Sequence, residues 1–333
     1  MNKYLNGDPV PWLTDGENPA VTYLAKRDLL DNDPEQLYSQ LELSSLTGYF
    51  RKNSTGCILG DQKNFDTFYR GSVWFLLLAV ESGYDRRTDF IARTTDFLCR
   101  RSQLPDGGFS FRLNPPLSIG CRTGNMVTAM IKAGFNDERT ENGISWIKKN
   151  QRTDGGWLHC PFRSTRDVMK FVFLNRAGKG CSDESDPRVP SCPVATFSCM
   201  SALALAAKPG FEKAIKNAVK FILTINFTHA NKKNITRCGL FLDFLNPGYP
   251  VMSQFEIISL LRVIADAGSW NTRGTAEMFN HLIGLQGNNG RWFAANSCQG
   301  MIQEKPGESR WVTLNALRLI KSIADFESQL ENA

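Results

Sequence analysis

Four cysteines come nearest to forming a metal site: Cys121, Cys160, Cys181 and Cys192. Cys121 opens the stretch Cys121-Arg122-Thr123-Gly124-Asn125, Cys160 follows His159, and Cys181 and Cys192 flank the acidic run Asp183-Glu184-Ser185-Asp186. Four thiolates, or three with His159, satisfy tetrahedral zinc, and three ligands plus a water make such a metal catalytic. Zinc is therefore the candidate cofactor. The same residues read equally as small buried hydrophobes, since their spacing is not a standard zinc pattern. Cys99 and Cys199 read as packing residues, and Cys57, Cys238 and Cys298 join no cluster.

A second set could bind and transform an organic substrate. Tyr69, Arg70, Arg122, Asn125, Thr196, Gln254, Glu256 and Arg310 each fall near the start of a helical segment, so they are expected to share one end of a cavity. Arg70, Arg122 and Arg310 suit bidentate contact with a diphosphate or carboxylate. Glu256 suits a general acid or base if burial raises its pKa; the plainer reading pairs it with one of the arginines. Glu256, Tyr69 and Arg70 are the catalytic candidates. Arg122, Asn125, Trp74, Phe255, Arg310 and Trp311 are the substrate-binding candidates. The aromatic side chains Phe68, Trp74, Phe75, Phe197, Phe255 and Trp311 could stabilise carbocations through their ring faces, although rings at helical spacing also simply fill a core.

Several chemistries have no support. The chain has no Gly-x-Ser-x-Gly elbow, P-loop or dinucleotide-binding glycine fingerprint. A net charge of +6, dispersed in pairs such as Lys148-Lys149, lacks the dense basic stripe of a nucleic-acid binder, so no nucleic-acid partner is expected. The longest uncharged apolar run, Val73 to Val80, is too short to span a membrane. The start Met1-Asn2-Lys3-Tyr4 lacks the apolar stretch of a secretion signal, and a cytoplasmic location is the expectation. With 42% hydrophobic and 22% charged residues, the composition is that of a globule with a sizeable core.

What positions these residues is a repeat. Gln103-Leu104-Pro105-Asp106-Gly107-Gly108-Phe109 recurs as Gln151-Arg152-Thr153-Asp154-Gly155-Gly156-Trp157 and as Gln286-Gly287-Asn288-Asn289-Gly290-Arg291-Trp292. A fixed period of this size means stacked supersecondary units. Before each copy lies a helix-period segment, and before that an apolar helix ending in Gly83, Gly134 or Gly268, with Gly210 marking a fourth unit. The first helices, 66–81, 118–133, 193–207, 251–267 and 309–325, are poor in charge and read as buried on most sides. The second helices, 86–101, 138–149 and 211–220, carry more Lys, Arg and Glu and read as outer. An early pair, 18–31 and 34–46, supplies a sixth inner helix. Asp-Gly and Asn-Gly reverse the chain, the aromatic packs over the turn, and the Gln amide meets backbone groups left unpaired by the helix end, which makes the phrase structural. The expectation is one all-α domain over 1–333, an (α/α)6-type toroid of five to six helix pairs. Insertion loops near 158–190 and 227–250 break its rhythm and belong at one mouth.

The Gln-x-x-x-Gly-x-Trp phrase resembles the repeat of squalene–hopene and oxidosqualene cyclases, where it is known as the QW motif. The chain also resembles protein prenyltransferase β subunits and the small prokaryotic prenyltransferase/squalene-oxidase repeat proteins. The resemblance covers roughly residues 18–326 and implies an α/α toroid around an apolar cavity that takes an isoprenoid-like ligand. The departures matter. The Asp-x-Asp-Asp of class II cyclases, the Asp-Asp-x-x-Asp of class I synthases and the Asp-x-Cys zinc pair of prenyltransferases are all absent. Arg310-Trp311-Val312-Thr313 stands where a zinc-binding His would be wanted.

Three readings follow. The first is a terpene-cyclase- or prenyltransferase-like enzyme working on an isoprenoid or other apolar substrate in the central cavity. The second is a non-catalytic ligand- or partner-binding toroid with a cysteine-bound structural metal. The third is a glycan-active α/α barrel, for which Glu256 with Asp243 or Asp186 supplies the carboxylate pair.

Overall fold

Helices of two kinds alternate along the chain. The computed structural model describes residues 2–113, 116–158, 191–225, 244–250, 255–270, 272–295 and 307–331. After a short helix α1 (Val10–Leu13), the inner helix α2 (Pro19–Leu29) is followed by α3 (Pro34–Glu42) and α4 (Ser45–Lys52). Four inner–outer pairs come next: α5 (Ser72–Glu81) with α6 (Asp89–Ser102), α7 (Gly120–Lys132) with α8 (Glu138–Lys149), α9 (Pro193–Ala206) with α10 (Glu212–Leu223), and α11 (Ile257–Asp266) with α12 (Arg273–Gly284). The inner helix α13 (Arg310–Glu331) ends the series. The only strands among the described residues form two small antiparallel hairpins, β1 (Ser54–Thr55) with β2 (Ile58–Leu59) and β3 (Ser110–Leu113) with β4 (Pro116–Ser118). The fold is all-α.

Composition separates the layers. In α5 every residue from Ser72 to Val80 is buried, as an inner helix between two packed surfaces requires. Its outer partner α6 buries Phe90, Ile91, Thr94, Thr95, Leu98 and Cys99 and turns its charges outward; Asp89 in its first turn and Arg100 and Arg101 in its last oppose the helix dipole. Side chains that accept from backbone N–H groups start the helices: Asn18 from Val21, with Pro19 in the first turn of α2, and Asp137 from Arg139 and Thr140 at α8.

The inner helices run parallel and close into a ring. Arg122, at the start of α7, pairs with Asp66, just before α5, while Lys132 at the end of α7 pairs with Glu81 at the end of α5. Gly120 and Gly124 bring the first turns of α7 and α9 almost into backbone contact, because a β-carbon at Gly124 would overlap the Ser198 carbonyl. Helix α11 packs on α9 and on α13, and α13 packs on α2. Arg310 at the head of α13 reaches the Trp12 carbonyl, Asp15 and Glu17 before α2, whereas Arg318 and Lys321 reach Asp28 and Asp31 at its end. The remaining joint is made by Gly83, after α5, against the Tyr23 ring of α2, and by the Tyr38 hydroxyl of α3 with Thr88 at 2.7 Å.

The repeated phrase is the joint between units. Gly107, Gly155 and Gly290 have φ of +92°, +91° and +78°, and a β-carbon on them would overlap the carbonyls of Asn142, Asn217 and Gly7 in the following unit. Gln103 Nε2 donates to the Arg139 carbonyl at 2.8 Å, and Gln151 Nε2 to that of Ala214 at 2.7 Å, both in the first turn of the next outer helix. The backbone N–H groups of Phe109, Trp157 and Trp292 donate to the hydroxyls of Thr123, Thr196 and Thr313 in the first turn of the next inner helix, at 2.9, 3.1 and 3.0 Å. In the third copy the N-terminal segment stands where an outer helix would: Gly7 covers Gly290, and the Asn6 N–H donates to Gln286 Oε1 at 2.7 Å.

The structure shortens two inner helices relative to their apolar stretches. Residues 61–71 form turns before α5, where Gly71 packs on the Phe65 carbonyl and admits no side chain, and α11 begins at Ile257. Most of both insertion loops lies outside the described residues.

Candidate functional site

Five of the six inner helices enclose a cavity of about 210 Å³. Its apolar wall includes Leu77 of α5, Phe197 and Leu205 of α9, Ile258 and Val263 of α11, and the Tyr249-Pro250 segment. Because the inner helices are parallel, the cavity has two chemically different ends. Glu256, Ser259 and Asn125 lie toward the helix N-termini, and Glu81, Lys132, Arg262 and Asp266 toward the C-termini.

Glu256 is the group the local sequence sets most firmly. It is the N-cap of α11, where its Oε2 accepts the Ile258 N–H at 2.9 Å and its Oε1 accepts the Ser259 N–H at 2.8 Å; the Ser259 hydroxyl completes the capping box. Only 5% of the residue is exposed. Burial pushes its carboxyl up from 4.5 to about 7, against the opposing pull of the hydrogen bonds from Ile258 and Ser259. The anticipated arginine pairing is absent: among the described residues no cation forms an ion pair with Glu256. A carboxyl half-protonated near neutrality and lining a cavity can give or take a proton.

At the other end, Glu81 and Lys132 pair across α5 and α7 yet keep 42% and 33% of their side chains exposed, their free surface facing the cavity. Burial pulls the Glu81 carboxyl up, but the charge and hydrogen bond of Lys132, with Arg262 and Arg318 beyond, hold it below its ordinary value. Arg318, buried behind this end, is lowered to about 10 by burial and by the repulsion of Arg262, although it pairs with Asp28. These charges were not singled out from sequence. Their signal is positional: Glu81, Lys132 and Asp266 sit in the last turns, and Arg262 one turn earlier, of helices that are otherwise nearly charge-free.

The sequence candidates do not share one end of the cavity. Of the named catalytic and substrate-binding residues, Glu256 and Asn125 line it. Phe255 stacks on the lining Phe197 at 4.8 Å, and Trp311 on the lining Tyr249 at 4.1 Å, so these two rings back the wall. Arg310 is taken up by ring closure, its guanidinium held between Asp15 and Glu17 and 4.4 Å over the Trp12 ring. Arg122, Trp74 and Tyr69 gather in a separate cluster at the N-terminal end of the α5–α7 joint. There Arg122 pairs with Asp66 and lies 4.9 Å from the Trp74 ring, Phe68 stacks on Trp74 at 4.7 Å, and Tyr69 meets it edge-on at 5.5 Å. Burial raises the Asp66 carboxyl to about 6 against the charge of Arg122. Arg70 is exposed in the turn before α5. Tyr69 and Arg70 fall here because their segment is turn, not the first turn of α5.

Of the proposed metal ligands, Cys121 and Cys192 are described and Cys160 and Cys181 lie outside the described residues, as do His159, Gln254, Asp186 and Asp243. Cys121 and Cys192 are buried, unbridged and close enough to influence each other electrostatically, with Cys199 beside them. Burial pushes the Cys121 thiol up to about 12, so it is neutral without a cation. The described pair supplies two of the four ligands that zinc takes, and no group of three or more metal-binding side chains occurs among the described residues.

No family model matches the chain, and no curated protein matches it. Among solved structures it is similar to the apo type II terpene cyclase MstE from Scytonema, at 12% identity over 94% of this chain and 99% of that one, with a TM-score of 0.42. It is likewise similar to a variant of that cyclase in complex with the product merosterolic acid A, at 13% identity, 95% and 98% coverage and a TM-score of 0.33. A third match is a variant in complex with the substrate geranylgeranyl dihydroxybenzoate, at 11% identity, 98% and 100% coverage and a TM-score of 0.33. No described helix is long and apolar enough to cross a membrane.

Proposed function

We propose that the central cavity is the active site of a terpene-cyclase-like enzyme, in which an apolar, isoprenoid-like substrate receives a proton from Glu256. The observation that carries this reading is a buried carboxyl, titrating at about 7, on the wall of a cavity that combines apolar side chains with polar and charged ones. The proton would add to a substrate carbon–carbon double bond and leave a carbocation. The faces of Phe197 and Tyr249, which line the cavity, attract such a charge. Loss of a proton from a neighbouring carbon, or capture by water, would return the product to neutrality, and solvent would reprotonate Glu256. One carboxyl here takes the place of the aspartate-rich motif that the chain lacks. A volume of about 210 Å³ lies below the roughly 300–1,000 Å³ of ordinary ligand pockets and favours a short chain. Arg122, Trp74, Tyr69 and Arg70 then act outside this cavity, if at all.

The test is product analysis by gas chromatography and mass spectrometry after incubation with ten- and fifteen-carbon prenyl alcohols and acids. The wild type is expected to isomerise, cyclise or hydrate at least one of them, and Glu256→Gln to bind it equally and leave it unchanged. Equal turnover by the Gln variant would remove Glu256 from the chemistry.

The alternative with an observation behind it is the metal-stapled toroid, because Cys121 and Cys192 lie close enough to influence each other electrostatically. It requires Cys160 and Cys181, or His159, to complete zinc. Elemental analysis of protein purified without chelators checks it: about one zinc per chain, lost in Cys192→Ser, supports the site, and metal-free folded protein removes it.

A further inference from the structure

Arg262 has an arrangement that the proton-transfer reading does not use. It projects from the middle of α11 into the cavity wall, and among the described residues nothing forms an ion pair or hydrogen bond with its guanidinium. Asp266, one turn further along the same helix, is spaced to pair with it, yet does not; it accepts the Ser322 hydroxyl at 3.1 Å. Every other cavity cation is answered: Lys132 by Glu81, and Arg318, just behind, by Asp28. The hydroxyl of Thr128 on α7 lines the same cavity, is buried and has no hydrogen-bond partner among the described residues. A half-buried guanidinium with no ion pair and a buried hydroxyl with no partner among the described residues, both on the wall of one cavity, leave donors free for a ligand, since buried donors are as a rule satisfied.

We infer that Arg262, with Thr128, binds the anionic head of a short amphipathic ligand, a carboxylate or a phosphate monoester, whose apolar tail runs along the cavity toward Glu256. Arg262 lies six positions beyond Glu256, about 9 Å along the helix axis, which sets the spacing between the head and the atom that meets Glu256. The planar fork of arginine meets either anion with two parallel N–H bonds. The polarity also fits the proposed reaction, because an anion held at this end keeps the Glu256 end apolar and its carboxyl protonated. The inference deepens the reading of the cavity as a substrate site but does not require Glu256 to be catalytic.

Calorimetric titration separates the two. The probes are geranic acid, geranyl monophosphate and geraniol, which share one tail and differ in the head. The wild type is expected to bind at least one anionic probe about 10- to 100-fold more tightly than geraniol, the worth of a charged hydrogen-bond pair. In Arg262→Gln that preference falls to near unity while geraniol affinity holds. In Arg262→Lys, which keeps the charge and loses the fork, part of it returns. Whichever anion shows the larger preference identifies the head. If geraniol binds and neither anion binds better, or if Arg262→Gln keeps the preference in a folded protein, the head site is overturned and the apolar cavity survives. If none of the three binds at millimolar concentration, the cavity reading fails and takes this inference with it.

Discussion

Glu256 joins local structure and chemistry in one side chain. Ser, Thr, Asp and Asn are the favoured N-caps, so a glutamate that wraps back to its own helix N–H groups is unusual, and its longer arm carries a carboxyl into the cavity wall. Its folded pKa of about 7 lies above the ordinary 4.5, so the folded protein holds this proton more tightly than the unfolded chain. Below about pH 4.5 both states are protonated and the group is neutral to stability. Between 4.5 and 7 the unfolded chain loses the proton first, and stability falls as pH rises, by at most about 3 kcal/mol; above 7 the cost is constant. Glu256→Gln has no such slope, so in urea melts its stability relative to wild type is expected to rise between pH 4.5 and 7 and then level off. Parallel curves would mean that Glu256 titrates normally. In the proposed reaction the protonated form acts, so turnover falls about tenfold per unit above pH 7.

Among the elements, the turn phrase transmits the ring's order. The backbone N–H of its aromatic residue meets a threonine hydroxyl one inner helix ahead in all three copies, which fixes where each inner helix begins. Thr196→Val leaves the buried Trp157 N–H without an acceptor and is expected to cost about 1–3 kcal/mol in denaturant unfolding. A cost near zero would mean that the helix start is set elsewhere. The phrase itself was legible from sequence, as were the corner glycines Gly83, Gly134, Gly210 and Gly268, all of which adopt positive φ. The start of α5 was not. Residues 66–71 continue an apolar, helix-period stretch, and what stops the helix is the packing of Gly71 on the Phe65 carbonyl, a contact that no local pattern announces. That displaced Tyr69 and Arg70 from the cavity. Arg310 was misjudged for a related reason: its partners Asp15 and Glu17 are almost 300 positions away in sequence, and only ring closure brings them together.

On the scale of the whole molecule, a closed ring needs its first and last units to meet, and the N-terminal segment does this. Beyond Gly7 and Asn6 on the last turn, Tyr4 packs edge-on to Phe279 at 5.1 Å and donates its hydroxyl hydrogen to Glu327 at 2.7 Å. Removing residues 2–8 strips this cover from the last turn phrase, where Gly7 packs on Gly290 and Asn6 donates to Gln286. The truncated chain is expected to melt several degrees lower, with faster amide exchange concentrated in 286–292 and in α13. Unchanged exchange there would mean that the ring closes without the segment. On the proposed function, the space inside this ring holds a ligand rather than being surplus volume. Ala204 of α9 lines that space, and Ala204→Trp fills it from a helix whose outer contacts are untouched. The most direct measurement is calorimetric binding of geraniol to wild type and to Ala204→Trp, each shown to be folded by circular dichroism. The account predicts one site per chain in the wild type and loss of at least tenfold in affinity in the filled variant; equal binding by both proteins would contradict it.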